Sequence, residues 1–337
     1  MKSRESGIDL IRCLGLLFVV GVHSFLKNGF YSEPQTGAVI WAANSFRWLF
    51  FCCNGIFMIL TGYLKSTKPW NRDYYRSLIS ILVSYLLTCV VSFPIRHFLL
   101  GETLTVFQWL EKLVTFANYS WYVEMYIGLF LLSPIINLAL ERVTEPKKLL
   151  LLAGTMVFLT ALHSITALNL IPDHWNAMYP VTYYVLGAVI RRLQPKLPRW
   201  LCLGGVAVIA MGLGLATYVT AAKNFNDGFG QGYGGFWITA MVVLLFLGLY
   251  QVRMGTSGGK VLAWMAGGCF EGYILSRLLD VWVYDLVPQW HTPEKYPLLF
   301  LCVTVPIFIL ALLAGKGVNL LTQLLMKFTA RKKLKTP

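Results

Sequence analysis

Residues 7–26 read GIDLIRCLGLLFVVGVHSFL, a stretch in which only Asp9, Arg12 and His23 can carry a charge. A helix of about 20 apolar residues is long enough to cross the hydrocarbon core of a bilayer. No small-residue cleavage site follows the stretch, and Asp9 and Arg12 interrupt its start, which is not the composition of a signal peptide. We therefore expect residues 8–26 to form an uncleaved membrane-spanning helix.

The rest of the 337-residue chain has the same apolar character. It is 57% hydrophobic and only 13% charged, with a mean hydropathy of +0.62, whereas an ordinary globular domain is about 25% charged. This composition excludes a disordered chain, a collagen-like fibre and a disulfide-stapled secreted module. The seven cysteines form no CxxC pair and nearly all lie in apolar runs, so we expect small buried hydrophobes and no metal site.

Ten apolar runs follow one another along the chain, separated by charged or glycine-rich stretches. They cover residues 8–26, 45–64, 78–93, 121–140, 149–170, 179–190, 200–220, 236–250, 261–283 and 298–325. We expect the third run to stop at Pro94, residues 95–118 to include a short interfacial helix, and residues 221–234 to form a loop. The prediction is an all-α polytopic membrane protein, a bundle of about ten transmembrane helices. We expect a single integral-membrane domain over residues 1–337, with no soluble domain fused to it.

Lysine and arginine are unequally divided between the two sides of this predicted bundle. Both termini and the loops after the second, fourth, sixth and eighth runs hold 20 of the 29 basic residues; we call this the basic side. The opposite side holds five, namely Lys27, Arg96, Lys112, Lys223 and Lys295. The positive-inside rule then predicts a cytoplasmic basic side with both termini in the cytoplasm. It also explains the net charge of +14 without a nucleic-acid partner.

Ionisable residues inside apolar runs are costly and are candidates for a functional site. Arg12 and His23 are eleven residues apart, which is about 20° from three full helical turns, so they share one face of the first helix. They are separated by about 16 Å along its axis. A purely structural alternative is that Arg12 pairs with Asp9 and that His23 lies at the membrane interface.

Four segments together resemble the integral-membrane acyltransferase 3 family. The first is Arg12-x10-His23, preceded by GIDLI at residues 7–11. The others are GIFMILTGYL at 55–64, WYVEMYIGL at 121–129 followed by Pro134, and MYPVTYY at 178–184 followed by Gly187. Two positions depart from the family pattern: Thr61 replaces the usual serine, and Ser80 stands where a further arginine is expected after Arg72 and Arg76.

This resemblance implies a bacterial inner-membrane enzyme that transfers an acyl group, most often acetyl, from cytoplasmic acyl-CoA. The acceptor would be a hydroxyl of an extracytoplasmic or lipid-linked glycan. Acyl-CoA (acetyl-CoA) is then a donor substrate, and no permanently bound cofactor is expected. His23 would act as general base or as acyl carrier, assisted by Arg12, while Arg72, Arg76 and Arg12 would bind the CoA phosphates.

The opposite side supplies further candidates for this site. Glu124 could orient the imidazole of His23 or bind sugar hydroxyls, or could simply be a hydrated carboxylate at the interface. Trp121 and Tyr122 could stack on a sugar, although aromatic residues are also common at membrane interfaces. Arg47 could pair with Glu124 or with a phosphate of the acceptor.

In the ninth run, Arg277 and Asp280 are spaced i, i+3 and predict a structural ion pair.

Two other functions remain open on the sequence alone. Buried charges in ten spans would also suit a proton-coupled secondary transporter, although no internal repeat supports one. A flippase partner of a polysaccharide export system is the third alternative. Beyond acyl-CoA, a carbohydrate acceptor and the lipid bilayer, the expected partners are a second copy of the chain or a separate acyl-handling protein.

Overall fold

The computed structural model describes residues 5–115, 121–165, 170–220, 232–287 and 292–333, without the side chains of residues 114–115 and 328–333. Within these ranges the chain is helical and has no strand. The α-helices are α1 (Ser6–Lys27), α2 (Ala38–Phe50), α3 (Cys53–Lys65), α4 (Arg72–Leu100), α5 (Val106–Thr115), α6 (Trp121–Glu141), α7 (Pro146–Ala161), α8 (Tyr179–Leu193), α9 (Arg199–Thr220), α10 (Phe236–Leu249), α11 (Thr256–Ala266), α12 (Cys269–Asp285), α13 (Tyr296–Leu299) and α14 (Val305–Lys333). Most of the predicted loop at 221–234, and residues 116–118 and 334–337, lie outside the described ranges.

Seven helical stretches of the described chain are long and apolar enough to cross a membrane. They are α1, the α2–α3 pair, α4, α6, α7 with the 3₁₀ turn after it, α9, and the stretch Pro293–Lys327 that includes α13 and most of α14. The sixth, eighth and ninth predicted runs form shorter helices, which are α8, α10 and the α11–α12 pair. The all-α class is therefore confirmed, whereas a count of ten spans is not.

The expected end of the third run at Pro94 is wrong. Helix α4 continues through Pro94 to Leu100 and ends at Gly101, whose φ of 63° is left-handed. A proline removes one backbone hydrogen bond, but a segment inside a bilayer satisfies its other backbone groups only by remaining helical. A short helix is present within residues 95–118 as α5, with Phe107 and Leu110 exposed, while its interfacial location stays a prediction.

The ninth run is also not one helix, because it breaks between α11 and α12 at Gly267 and Gly268. A Cβ atom on Gly268 would lie 2.6 Å from the Lys316 backbone nitrogen and 2.8 Å from the Leu312 carbonyl oxygen. The break therefore falls where α12 begins to pack directly against the backbone of α14, a contact that only glycine allows.

Helix α1 lies at the centre of the bundle and contacts α2, α3, α10, α11, α12 and α14. Beside it, α3 and α8 pack with their backbones in contact, since a Cβ atom on Gly62 would clash with the Tyr184 carbonyl and one on Gly187 with the Ile59 carbonyl. Small residues at membrane helix interfaces allow this close approach. Helix α3 also contacts α1, where a Cβ atom on Gly15 would meet the Phe57 ring.

Candidate active site

A cavity of about 320 Å³ lies between α1, α3, α4, α6 and α12. On α1 it is lined by Arg12 and Val19, which lie within about 20° of each other around the helix. Most of the remaining wall is apolar or aromatic, including Phe57, Leu60 and Tyr273. The cavity is thus an apolar passage that follows one face of α1 away from the basic side.

Two cations line the end of the cavity nearer the basic side. The Arg12 Nη1 atom donates to Asp9 Oδ1 at 3.0 Å, so the predicted pairing of Arg12 with Asp9 is present. The Lys65 Nζ atom donates to Ser77 Oγ at 3.0 Å and lies 5.0 Å from the centre of the Phe130 ring. Lys65 also lines the cavity, although the sequence marks it only as one of the charges of the basic side.

Arg72 and Arg76 lie outside this cavity, on exposed positions of the first turns of α4. Arg76 Nη1 donates to Asp73 Oδ1 at 2.7 Å, and both side chains are largely exposed. Ser77 and Ile81 of the same helix do line the cavity. The two arginines are therefore near its basic-side end but do not form its wall, and their proposed contact with CoA stays a prediction.

His23 lies one helical turn beyond Val19 on the same face of α1. It contacts a carboxylate of α12, a helix that is distant in sequence but adjacent in the bundle. Its Nδ1 atom is 2.7 Å from Oδ2 of Asp280, and Asp280 is only 1% exposed. An ionised Asp280 can only accept, so Nδ1 then carries the proton, and in the neutral form of the ring the Nε2 lone pair is free. A histidine held in this way can take a proton from another group.

The partner of His23 differs from the one expected. Asp280 bonds to His23 rather than forming the predicted pair with Arg277, which lies on the exposed face of α12. Asp280 lies at the level of His23 because α1 and α12 run parallel. The Cys13 and Cys269 sulfur atoms are 4.0 Å apart, and from there α1 continues for ten residues to His23 and α12 for eleven residues to Asp280. Equal depth in two parallel runs was the signal that could have identified Asp280.

Glu124, the carboxylate expected to orient His23, lies on an exposed position of α6, and its role stays a prediction. Its neighbours Trp121 and Tyr122 differ in burial. Tyr122 is buried, lines the cavity and lies 5.8 Å from the ring of Tyr273. Trp121 is 41% exposed and lies 5.7 Å from the ring of Tyr233.

Arg47 of α2 lies among aromatic rings. Its Nε atom donates to the Tyr31 hydroxyl at 3.1 Å, and its guanidinium carbon lies 4.4 Å from the centre of the Trp48 ring and 4.7 Å from that of Phe51. Phe51 in turn stacks on Tyr233 at 4.5 Å. Through Phe51 and Tyr233, Arg47 is thus connected to Trp121 by a series of aromatic contacts. Its contact with an acceptor stays a prediction.

Apolar helices, a cavity along the face of α1 that also bears His23, and a pair between this half-buried histidine and a buried carboxylate define a multi-pass membrane protein with a candidate catalytic centre. A family model described as an acyltransferase domain, Acyl_transf_3, matches residues 5–316. The chain belongs to this acyltransferase 3 family and is a membrane acyltransferase. No curated protein and no solved structure matches it.

Proposed function

We propose that the protein transfers an acyl group, typically acetyl, from acyl-CoA to a hydroxyl of an extracytoplasmic or lipid-linked glycan. The family supports the acyltransferase class. The observation that carries the rest is the cavity lined by Arg12 and Val19, on the face of α1 that also bears His23 one helical turn further on. In this proposal the protein lies in a bacterial inner membrane with its basic side and both termini in the cytoplasm.

The donor enters from the basic side. CoA is a polyanion with a long, thin pantetheine arm, and charge-assisted hydrogen bonds to phosphate are stronger than neutral ones. Lys65 and Arg12, which line that end of the cavity, bind the phosphate end, with Arg72 and Arg76 adding to the surrounding positive charge. The arm follows the apolar passage and brings the thioester toward His23, about 16 Å further along α1.

The transfer then needs one group that takes a proton and returns it. The Nε2 atom of His23 removes the proton from the acceptor hydroxyl as that oxygen attacks the thioester carbonyl carbon. The carbon–sulfur bond breaks, and the imidazolium gives the proton to the departing CoA thiolate. Asp280 holds Nδ1 protonated and stabilises the positive ring. The same free Nε2 could alternatively carry the acyl group before a second transfer.

The acceptor approaches from the opposite side. Trp121 and Tyr233 present aromatic faces there, and Tyr122 continues the aromatic surface into the cavity. Aromatic rings suit the apolar faces of sugars, and Arg47 and Glu124 supply a cation and a carboxylate to the same region. These residues position the acceptor hydroxyl on the side of His23 remote from the donor phosphates.

Replacing His23 tests the proposal. In inverted membrane vesicles supplied with acetyl-CoA labelled in the acetyl group, we expect the wild type to move label into a glycan. His23→Ala should lower that rate by about 10²–10⁴-fold, the range for loss of a general base. His97→Ala, an exposed histidine on α4, is the matched control and should remain active. Normal transfer by His23→Ala would exclude the proposed role.

A further inference from the structure

Two exposed cations flank the His23–Asp280 pair and have no assigned role. Lys27 follows His23 by four residues on α1, and Arg277 precedes Asp280 by three residues on α12. At these spacings each cation lies about one turn from its neighbour on a shared helix face. Both side chains are exposed, and neither makes a hydrogen bond or a salt bridge with another residue that the structure describes. Positive charge therefore borders the pair on both helices.

Other cations on the side opposite the basic side have carboxylate partners. Arg96 and Lys112 both pair with Glu102, at 2.5 and 3.7 Å. Among the described residues, Lys27 and Arg277 have no carboxylate of their own, because the one that they approach, Asp280, is bonded to His23. An ionisable side chain at membrane depth is costly and usually functional. The two cations therefore call for a negatively charged ligand.

Arg277 lies toward α6, on the side from which the acceptor approaches in the proposed function. One turn earlier on α12, Tyr273 and Ile274 lie on either side of its direction around the helix. The Tyr273 ring is 5.8 Å from that of Tyr122, and Ile274 belongs to the same buried cluster as Val123. Helix α6 begins one residue before Tyr122. Arg277 is thus one turn beyond the contacts that α12 makes with the first turn of α6.

The levels of the two cations enclose that of the histidine. Lys27 lies about 6 Å beyond His23 along α1, and its Cα–Cβ bond tilts back toward His23, while Arg277 lies about 4.5 Å before the level of Asp280. Asp280 is attracted by both charges as well as by His23. The His23 side chain is 22% exposed. The imidazole and the two cations are therefore neighbours on one accessible face formed by α1 and α12.

Resting on the proposed function, we propose that Lys27 and Arg277 bind a negatively charged group of the acceptor, which is thus an acidic glycan. The group is singly charged, a phosphodiester or a carboxylate close to the hydroxyl that receives the acyl group. Ionised Asp280 offsets one of the two positive charges and leaves one for the ligand. The planar guanidinium of arginine matches two oxygens of such a group, and lysine adds a compact charge. Bound in this way, the anionic group holds the acceptor hydroxyl next to Nε2 of His23.

The charge of the product is the first test. Glycan labelled by the wild type in inverted vesicles is extracted and applied to an anion-exchange resin at neutral pH, and we expect most of the label to be retained. A second elution at about pH 2 separates the two sources, because a carboxylate is then protonated and released, whereas a phosphodiester stays bound. Label confined to the unretained, neutral glycan would overturn the proposal.

Substitution of the two cations is the second test. Lys27→Met and Arg277→Met keep most of the side-chain length and remove the charge. With purified protein, labelled acetyl-CoA and the retained glycan as acceptor, each should raise the acceptor KM about 10-fold, which corresponds to about 1.4 kcal/mol. The KM for acetyl-CoA should stay within about 2-fold. Lys27→Arg and Arg277→Lys keep the charge and should recover most of the loss, which a role in packing alone would not allow.

The control is Lys295→Met, at another exposed lysine of the same side, which should leave the acceptor KM unchanged. Size-exclusion profiles show whether each variant is folded, and the product test uses only the wild type. If His23→Ala is inactive while the product is neutral, or while both Met variants keep the wild-type acceptor KM, this inference fails and the proposed function stands. If the wild type labels no glycan, or His23→Ala is active, the proposed function itself fails.

Discussion

The two ends of the candidate site, the basic-side end of the cavity and the His23–Asp280 pair that lies beyond Val19 on α1, are built in different ways. At the end near the basic side, each cation has a partner close by in sequence: Arg12 bonds to Asp9 three residues earlier, and Lys65 bonds to Ser77 twelve residues later. At the other end, His23 bonds to Asp280, which is 257 residues away. The first end is assembled by local segments, whereas the second exists only when the first and twelfth helices pack side by side.

The two ends also differ in how accessible their charged groups are. The cations of the first end are partly accessible, with 33% of the Arg12 side chain exposed, and exposed charges gain and lose partners at little cost. Asp280 is buried, and a buried charge whose partner is removed is strongly destabilised. We therefore expect substitutions at the first end to change donor binding, and those at the second end to change the rate of transfer.

The largest effect should come from Asp280→Asn. The amide keeps the shape of the carboxylate but can donate to Nδ1, which moves the ring proton to Nε2 and removes the lone pair that accepts the hydroxyl proton. We expect kcat to fall about 10³-fold with little change in KM for acetyl-CoA, measured by label transfer in vesicles. Asp285→Asn, an exposed position on the same helix, should be close to wild type. A loss below 3-fold would show that Asp280 does not set the tautomer of His23.

A smaller effect, and of a different kind, should follow from Lys65→Met. The substitution keeps most of the length and apolar surface of the side chain but removes its charge. Loss of one charge-assisted hydrogen bond to phosphate should raise KM for acetyl-CoA about 10-fold, which corresponds to about 1.4 kcal/mol, and leave kcat nearly unchanged. Lys68→Met, an exposed neighbour, should change KM less than 2-fold. A fall in kcat without a change in KM would contradict the division between the two ends.

The smallest effect on chemistry should come from Gly62→Ala, which acts on the packing of α3 against α8. The added methyl group would clash with the Tyr184 carbonyl, and such overpacking typically costs about 1–3 kcal/mol. Thermal unfolding in detergent should therefore occur several degrees lower, with little change in activity per folded molecule. Gly128→Ala is the control, because a Cβ atom there would meet nothing within 4 Å. Equal stability of the two variants would contradict the close backbone contact.

The features that depend on composition and local spacing could be predicted from the sequence. Apolar runs predicted the all-α class, and helical periodicity placed Arg12 and His23 on one face and Arg12 within reach of Asp9. The partner of His23 was missed because Asp280 has a nearer basic neighbour, Arg277, at i, i+3 spacing, and sequence distance favours that pair. The path of α4 through Pro94 and the break at Gly268 depend on lipid and on the approach of α14, neither of which local sequence records.

The distance along the chain between His23 and Asp280 has a consequence for biosynthesis. Chains fold from the N-terminus as they are made, so Arg12, Lys65 and Ser77 are all present once the first quarter has been synthesised. His23, in contrast, lacks its carboxylate partner until α12 has been synthesised and inserted beside α1. A chain interrupted before residue 280 would retain Arg12 and Lys65 but lack the carboxylate that bonds to His23. In the proposed mechanism, catalytic competence is therefore acquired late in translation, when most of the surrounding bundle has already been made.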